Sequence, residues 1–363
     1  MLFAIKPGLE QSKVFNGLNQ FLKEVVLAAL EDRAMHQNAL PNGLHAAATG
    51  NPPTRDAATT LCAALVVLNQ GEKDAFRNVL LLNTEPCDFL TDRALALPAV
   101  PDSVFAPLKA LAVHLYQATS KLTGVKAACG ESIDDHYARF RAMAAPGNGN
   151  VCCVCGTESL AQLQTGVDDN EQWRGPYDHL LAKDNYPLYG VHPKNLVPIC
   201  QTCNSKAKLA KDLLLQDGNR RLSFSPWTER ALPSEVRVSI DDTDALFPQV
   251  VIHLASNDPD RNEKLRTWDD IYKIKARVEG EFSNLREKVT EDVSASDEAL
   301  FLGSLDERAI AKAVASRSTP FSYWRALVYR AVRDMPPNSR EALRTAILES
   351  LPDAAELNEL FFG

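Results

Sequence analysis

Apolar residues recur with a helical period through roughly the first 145 positions of the chain. Ser12 precedes the clearest run and is a candidate N-cap, because its hydroxyl can accept a bond from an exposed backbone N–H group. Similar periods predict helices over 56–68, 104–116 and 133–143, so the N-terminal region is predicted to be helical. The run itself places six apolar side chains on one helix face, at Val14, Leu18, Phe21, Leu22, Val25 and Leu30.

The C-terminal third combines two short strands with further helices. Residues 236–240 alternate between apolar and polar side chains, and residues 250–254 form a short apolar run, so the two segments predict a pair of strands. A domain boundary is predicted just before them, near 226–234, where two prolines bracket a short segment. Helical periods then return in four segments, at 268–285, 305–315, 321–332 and 339–351.

The overall composition is that of a folded globular protein. Of the 363 residues, 45% are apolar and 24% are charged, which excludes a disordered chain and predicts two or three domains. No apolar run approaches the roughly 18 residues of a membrane helix, and the first residues lack the pattern of a secretion signal. We therefore expect a cytoplasmic protein without a membrane partner. The net charge of −8 gives no general affinity for nucleic acid, so such binding needs a local basic patch or a metal ion.

Five of the eight cysteines lie within 52 positions, directly after the turn-forming segment 146–150, which predicts a linker. Four of them form two Cys-x-x-Cys pairs, and two such pairs complete the tetrahedral site typical of structural zinc. Cys153 is interpreted as a bystander, since its spacing to Cys155 is less suitable. A redox pair would need one such motif rather than two, and chance clustering of buried thiols is the other alternative. The predicted zinc ligands are Cys152, Cys155, Cys200 and Cys203.

The 44 residues between the two pairs are more than a short zinc finger has, so we expect a folded element between them. Residues 177–181 predict a short strand, 184–194 a loop punctuated by proline and glycine, and 196–199 a second strand. From Ser205 onward, the apolar positions predict a helix that extends through Leu213 and Leu214. The second cysteine pair thus joins the second strand to the helix.

Three short motifs in this segment carry a resemblance to a known family. They are Asp178-His179, Asn195-Leu196-Val197-Pro198 and Cys200-x-x-Cys203-Asn204-x-Lys206. The three motifs occur in this order after the first cysteine pair, and the last of them contains the second pair. Together they resemble the HNH endonuclease family, whose ββα-metal fold has the same order of elements. The helical periods and strand patterns predict an α+β, predominantly helical chain, and the resemblance implies an HNH nuclease domain over 149–230 within it. A helical domain over 1–148 would precede it, and a mixed strand-and-helix domain over 231–363, which docks a partner or regulates, would follow.

The resemblance also implies the site residues. His179 is expected to be the general base that activates water, a role that suits a neutral imidazole near pH 7. Asp178 and Asn204 are expected to hold a catalytic Mg²⁺ or Mn²⁺ ion, which prefers oxygen ligands. Asn195 is expected to hold the loop and to orient the base. Family members often have histidine where this chain has Asn204, and the difference matches an H-N-N variant of the motif.

Local charge agrees with a nucleic-acid substrate. Between Lys194 and Arg221 the chain has six basic and two acidic residues, a net charge of +4 within an acidic chain. Lys206 and Lys208, near the start of the predicted helix, are expected to contact phosphate. An ordinary solvated helix face would have the same composition.

The predicted function is a metal-dependent HNH endonuclease that hydrolyses phosphodiester bonds of DNA. Flanking motifs such as Lys183-x-x-Tyr186-Pro187 resemble a branch of the family encoded with ATPases in bacterial anti-phage defence. That resemblance implies an ATPase or another defence-system protein as partner. Two alternatives stay open: a catalytically silent zinc-ribbon scaffold that binds nucleic acid or protein, and an RNA-directed nuclease, since phosphate contacts do not distinguish RNA from DNA.

Overall fold

The structure is a computed structural model that describes residues 1–9, 12–144, 147–167, 171–244 and 248–350. The chain divides into two compact units. The first contains Met1–Cys155 and Ser159–Arg230, and the second contains Gly156–Glu158 and Ala231–Gly363. Both the helical region and the cysteine-rich segment lie in the first unit, so the predicted division between them near residue 148 stays a prediction.

The first unit is built mainly from helices. Its described residues contain two antiparallel strand pairs, β1 (Tyr177–His179) with β2 (Leu196–Pro198) and β3 (Leu215–Gln216) with β4 (Asn219–Arg220). Its α-helices are α1 (Lys13–Leu30), α2 (Leu44–Thr49), α3 (Pro52–Val66), α4 (Gln70–Leu81), α5 (Pro86–Thr91), α6 (Asp102–Gln117), α7 (Thr123–Cys129) and α8 (Ile133–Arg141).

Helix α1 begins where the sequence predicts. The Ser12 hydroxyl accepts a hydrogen bond from the Phe15 backbone N–H at 3.4 Å, which satisfies one of the first-turn donors. The predicted apolar face of α1 is buried, and the helix contacts α3, α6 and the turn that precedes β2. Helix α6 in turn contacts the short turn Pro187–Tyr189 in the loop between β1 and β2. The two helices therefore support the loop that joins the candidate site strands.

Two segments attach the first cysteine pair to the helices. The backbone N–H groups of Leu2 and Phe3 donate to the Cys153 carbonyl oxygen at 3.1 and 3.0 Å. Residues 147–150 pack back onto the end of α8, where the Asn148 N–H donates to the Phe140 carbonyl at 2.7 Å. The expected linker is thus part of the folded unit over these four positions, and Pro146 lies outside the described residues.

The helix predicted from Ser205 onward is much shorter than expected. A single π-helical turn covers Cys203–Lys208, and it ends at Leu209, which has a positive φ of 52°. The prediction of a helix through residues 213 and 214 is therefore wrong. The chain continues instead into the β3–β4 hairpin, whose turn residues Asp217 and Gly218 both have positive φ, as a two-residue hairpin turn of this kind requires.

The second unit pairs β5 (Val236–Asp241) with β6 (Gln249–Leu254) in antiparallel register, close to the predicted strands. The helix predicted over 268–285 is interrupted at Lys273, which has φ of 53°. The helix predicted over 305–315 is also wrong, since residues 309–312 separate two helices, and the predicted end at Leu351 lies outside the described residues. The helices are α9 (Pro259–Tyr272), α10 (Ile274–Glu281), α11 (Leu285–Asp292), α12 (Glu298–Arg308), α13 (Ala313–Ser318), α14 (Ser322–Arg333) and α15 (Pro337–Ser350).

The predicted class, α+β with a dominance of helix, is confirmed for the described residues. None of the helices in the described ranges has both the length and the apolar character needed to cross a membrane.

Candidate active site and metal centre

The four cysteines selected by their spacing form one buried cluster. Their Sγ atoms all lie within 4.8 Å of one another. The Sγ atoms of Cys152 and Cys203 are 4.0 Å apart, and those of Cys155 and Cys200 are 3.8 Å apart. A tetrahedral ion with Zn–S bonds near 2.3 Å requires S···S distances of about 3.8 Å. The cluster can therefore hold a zinc ion, and Cys153 is not part of it.

Backbone groups support the cluster as they do in zinc knuckles. The Cys200 N–H points to the Cys152 sulfur and the Cys203 N–H to the Cys200 sulfur, each at 3.4 Å. Burial raises the pKa of Cys152 and of Cys203. Four thiolates in such a place need a cation to stabilise their charge. The donor set and its geometry agree with a structural metal site that has no open position for chemistry.

Strand β1 carries the predicted Asp-His pair and lies antiparallel to β2. Asp178 is opposite Val197 and His179 is opposite Leu196 in the strand register. Because side chains alternate along a strand, Asp178 points to one face, whereas His179 and Tyr177 point to the other. The two predicted site residues thus meet different neighbours.

On its own face, Asp178 forms a buried ion pair. The Lys208 ammonium donates to Asp178 Oδ1 at 2.7 Å, and the side chains are only 3% and 5% exposed. The same ammonium also donates to the backbone carbonyl of His179. Lys208 comes from the last residue of the π-helical turn, so this contact fixes the turn against β1. It also gives the predicted metal-ligand carboxylate a cationic neighbour from within the chain.

The His179 imidazole is held in one tautomer. Its Nε2 atom lies 3.0 Å from the Gly190 carbonyl oxygen, which can only accept, so Nε2 carries the proton and Nδ1 the lone pair. The Tyr116 ring lies edge-on to the imidazole, with ring centroids 4.6 Å apart. Burial, together with the charges of Lys183 and Lys208, lowers the pKa of His179 to about 3. The imidazole is therefore neutral at physiological pH.

Asn195 braces the loop between the two strands. Its Oδ1 accepts from the Leu181 N–H at 2.7 Å, and its Nδ2 donates to the carbonyl oxygens of Leu181 at 3.0 Å and Tyr189 at 2.9 Å. The side chain is fully buried. Since Tyr189 is adjacent to Gly190, the Asn195 amide positions the stretch of backbone that holds the His179 ring.

The remaining predicted residues lie on the π-helical turn. Asn204 is half-buried, and its Nδ2 donates to the Ser205 hydroxyl at 3.2 Å. Its carbonyl accepts the Leu209 N–H at 3.1 Å, the wide hydrogen bond that defines this turn. Lys206 is exposed, as a phosphate contact requires. Lys208 is not, and its burial on Asp178 corrects the expectation of a contact at the protein surface.

Three features of the site were not predicted from the sequence. They are the Tyr116 ring on His179, the Gly190 carbonyl at Nε2 and the position of Lys208. Tyr116 lies on α6, 63 positions before His179, and nothing in a helical apolar period marks such a contact. The sequence shows that Lys206 and Lys208 closely follow Cys203. Only the π-helical turn, however, determines that Lys208 rather than Lys206 faces β1.

Comparison with protein-family models, with curated proteins and with solved structures finds no match for this chain.

Proposed function

We propose that the chain is an HNH-type endonuclease that hydrolyses phosphodiester bonds of DNA in a metal-dependent reaction. The observation that carries the proposal is the neutral His179 imidazole, oriented by Gly190 on a strand that also presents a buried carboxylate. The strand pair, the loop braced by Asn195 and the cysteine knuckle before a single helical turn support the proposal, because the family has two strands and then a helix in this order.

His179 acts as general base through Nδ1 in this proposal. A water proton moves to Nδ1, the water oxygen bonds to phosphorus, and the bond from phosphorus to the leaving sugar oxygen breaks. The leaving oxygen keeps the electron pair of that bond and takes a proton from solvent water. The Gly190 carbonyl stays bonded to Nε2–H and stabilises the imidazolium that forms. A bound phosphate raises the low pKa of His179, because a nearby negative charge favours the protonated form.

Asp178 and Asn204 would hold the divalent cation. Their carboxylate and amide oxygens have the chemistry that Mg²⁺ and Mn²⁺ prefer. When bound, such an ion neutralises charge on phosphate oxygens during hydrolysis. The Lys208 ammonium contacts Oδ1 of the same carboxylate, so an ion at that oxygen requires the ammonium to move away.

The other parts of the proposal concern the context of the enzyme. The four-cysteine cluster holds structural zinc, which agrees with reduced thiols in a cytoplasmic protein. The second unit docks a partner ATPase or another protein of an anti-phage system. Only the flanking sequence motifs support this part of the proposal.

The decisive experiment is a cleavage assay on the purified chain. Supercoiled plasmid, linear duplex, single-stranded DNA and RNA are incubated with Mg²⁺, Mn²⁺ or no divalent ion. We expect DNA cleavage that needs the ion and is lost in His179→Ala. The matched control is His36→Ala, which removes an exposed imidazole.

The result separates the proposal from its alternatives. Cleavage of RNA but not DNA would indicate the RNA-directed nuclease. No cleavage by any form, with one zinc per chain and with partner binding unchanged by His179→Ala, would indicate a silent scaffold.

A further inference from the structure

A cavity of about 440 Å³ lies in the first unit beside strand β1. Helices α1, α6 and α8 contribute residues to it, as does the segment that leads into β1. Its volume is in the range of sites that take a small molecule. The side chains that matter here are Tyr116, Gln117, Lys121, Gln172, Arg174 and Tyr177.

The charged groups that line the cavity are cationic. Lys121 is exposed at its rim, and no carboxylate side chain is among the described lining residues. Arg174 uses Nε to pair with Asp134 Oδ1 at 2.5 Å, and its guanidinium lies 5.5 Å from the centroid of the Tyr177 ring. The guanidinium has further N–H groups that can donate to an anion. The rim therefore favours a phosphate.

The rest of the lining suits a nucleobase. The Gln117 amide is exposed and offers both a donor and an acceptor. Gln172 is fixed by two hydrogen bonds to the backbone of Gln164, at 2.9 and 2.7 Å, so it forms a rigid wall. The half-buried Tyr116 ring supplies aromatic surface, on which a base can stack.

The cavity lies near the candidate base His179 and is separated from it by one side chain. The Tyr116 ring lies between them, since it lines the cavity and contacts the imidazole at a centroid distance of 4.6 Å. Tyr177 stands on the same face of β1 as His179, two residues earlier. An occupant of the cavity therefore lies one ring away from the group that would activate water.

We propose that this cavity binds one unpaired nucleotide of a single-stranded nucleic acid, with a phosphate at Lys121 and Arg174 and the base at Tyr116 and Gln117. The inference rests on the proposed function, because it gives that site its substrate class. A base can stack on the Tyr116 ring only when it is not already paired and stacked within a duplex. Single strands, frayed duplex ends and nucleotides extruded from a duplex all present such an unpaired base.

Binding is measured in the full chain with His179→Ala, so that no cleavage interferes. Fluorescein-labelled oligothymidylate, oligouridylate and a blunt hairpin duplex are titrated by anisotropy at several KCl concentrations. The test variant adds Lys121→Glu, and the matched control adds Lys312→Glu, the same charge change at the N-cap of α13. A second test variant, Gln117→Trp, fills the cavity from an exposed position.

We expect both single strands to bind more tightly than the duplex. Lys121→Glu should weaken single-strand binding about tenfold. The plot of the logarithm of the association constant against the logarithm of the KCl concentration should become less steep by about 0.7, the value for one lost phosphate contact. Gln117→Trp should weaken binding with little change of slope, and the control should change neither.

Equal effects of Lys121→Glu and Lys312→Glu, or a duplex that binds as tightly as the single strands, would overturn the inference. The two proposals fail in different assays. Selective single-strand binding without cleavage by the wild type would refute the proposed nuclease activity and support the proposed binding cavity. Cleavage without an effect of Lys121→Glu on binding would support the nuclease activity and refute the binding cavity.

Discussion

At the scale of single residues, Lys208 and Asp178 form a buried ion pair in the candidate site. Both residues are nearly inaccessible, with exposed fractions of 2% and 4%. Removing one partner of a buried pair leaves a desolvated charge and costs roughly 3–5 kcal/mol. We expect Lys208→Met to lower the free energy of unfolding by an amount in this range, and Mn²⁺ to restore part of it by binding the carboxylate.

Urea unfolding of the zinc-loaded chain, with and without Mn²⁺, checks this prediction. Lys206→Met is the control on the same turn, because its exposed side chain should change stability by less than about 0.5 kcal/mol. If Mn²⁺ stabilises wild type and Lys208→Met equally, Lys208 and the ion do not compete for Asp178.

Asn195 makes a second residue-scale prediction possible. Its amide satisfies the Leu181 N–H and two carbonyl groups within a fully buried loop. Each buried polar group left without a partner costs about 1–3 kcal/mol. Asn195→Ala should therefore destabilise the chain by about 2–4 kcal/mol, measured by thermal or urea unfolding. The exposed Asn185, which lies in the same loop, provides the control Asn185→Ala, for which a comparable loss would refute the bracing role.

The same residues show what the sequence could and could not predict. The Asp178-His179 pair and Asn195 were chosen as candidates because each stands in a short motif whose spacing is local. The partners of these side chains are not local: Gly190 and Tyr116 reach His179 only through the packing of the loop and of α6. A single sequence holds no signal for such contacts, since they depend on tertiary structure.

At the scale of elements, the two cysteine knuckles hold the strand pair and the π-helical turn together. Cys200 comes two residues after the end of β2, and Cys203 begins the turn that carries Lys208 to β1. Binding of structural zinc contributes about 10 kcal/mol or more of folding free energy in small metal-dependent modules. Cys200→Ser should therefore abolish zinc binding and lose hydrogen-exchange protection in β1 and β2.

Metal analysis and hydrogen exchange measure the two effects together. Cys153→Ala is the matched control, because Cys153 is buried beside the cluster but is not one of its ligands. It should keep one zinc per chain and the protection of both strands. Loss of zinc from this control would show that the ligand set is wrong.

The ends of helices were predicted well only where the bounding residue has an ordinary backbone conformation. Ser12 caps α1 as expected, but Leu209 and Lys273 end or divide predicted helices with φ near +50°. This conformation is uncommon for side chains other than glycine and asparagine. An apolar period that continues past such a residue therefore predicts too long a helix, as it did beyond residue 208.

At the scale of the whole molecule, the basic stretch between Lys194 and Arg221 is less available than its composition indicates. Lys194 pairs with Glu85 at 2.5 Å, Lys208 is buried on Asp178, and Arg221 is buried. The net charge of the chain is −8. Long-range electrostatic attraction of nucleic acid to this stretch is thus weak.

Buried histidines make the stability of the chain depend on pH. Burial, with smaller contributions from Lys23 and Lys194, lowers the pKa of His192 to about 3. The unfolded chain has an ordinary value near 6.5 and so binds the proton first. The contribution of neutral His192 to the free energy of unfolding is therefore fully present above pH 6.5 and is lost as the pH falls from 6.5 toward 3. Between pH 7 and pH 5 this amounts to about 2 kcal/mol.

Replacing His192 with asparagine should remove this part of the pH dependence. Asparagine keeps an acceptor for the Lys194 N–H, which His192 Nδ1 now accepts at 3.3 Å, but it does not titrate. Urea unfolding at pH 7, 6 and 5 should show a flatter decline for His192→Asn than for wild type, by about 2 kcal/mol over this range. His36→Asn, at an exposed position, should decline in parallel with wild type. Parallel curves for wild type and His192→Asn would mean that His192 is protonated without cost in the folded chain, and that the acid sensitivity arises elsewhere.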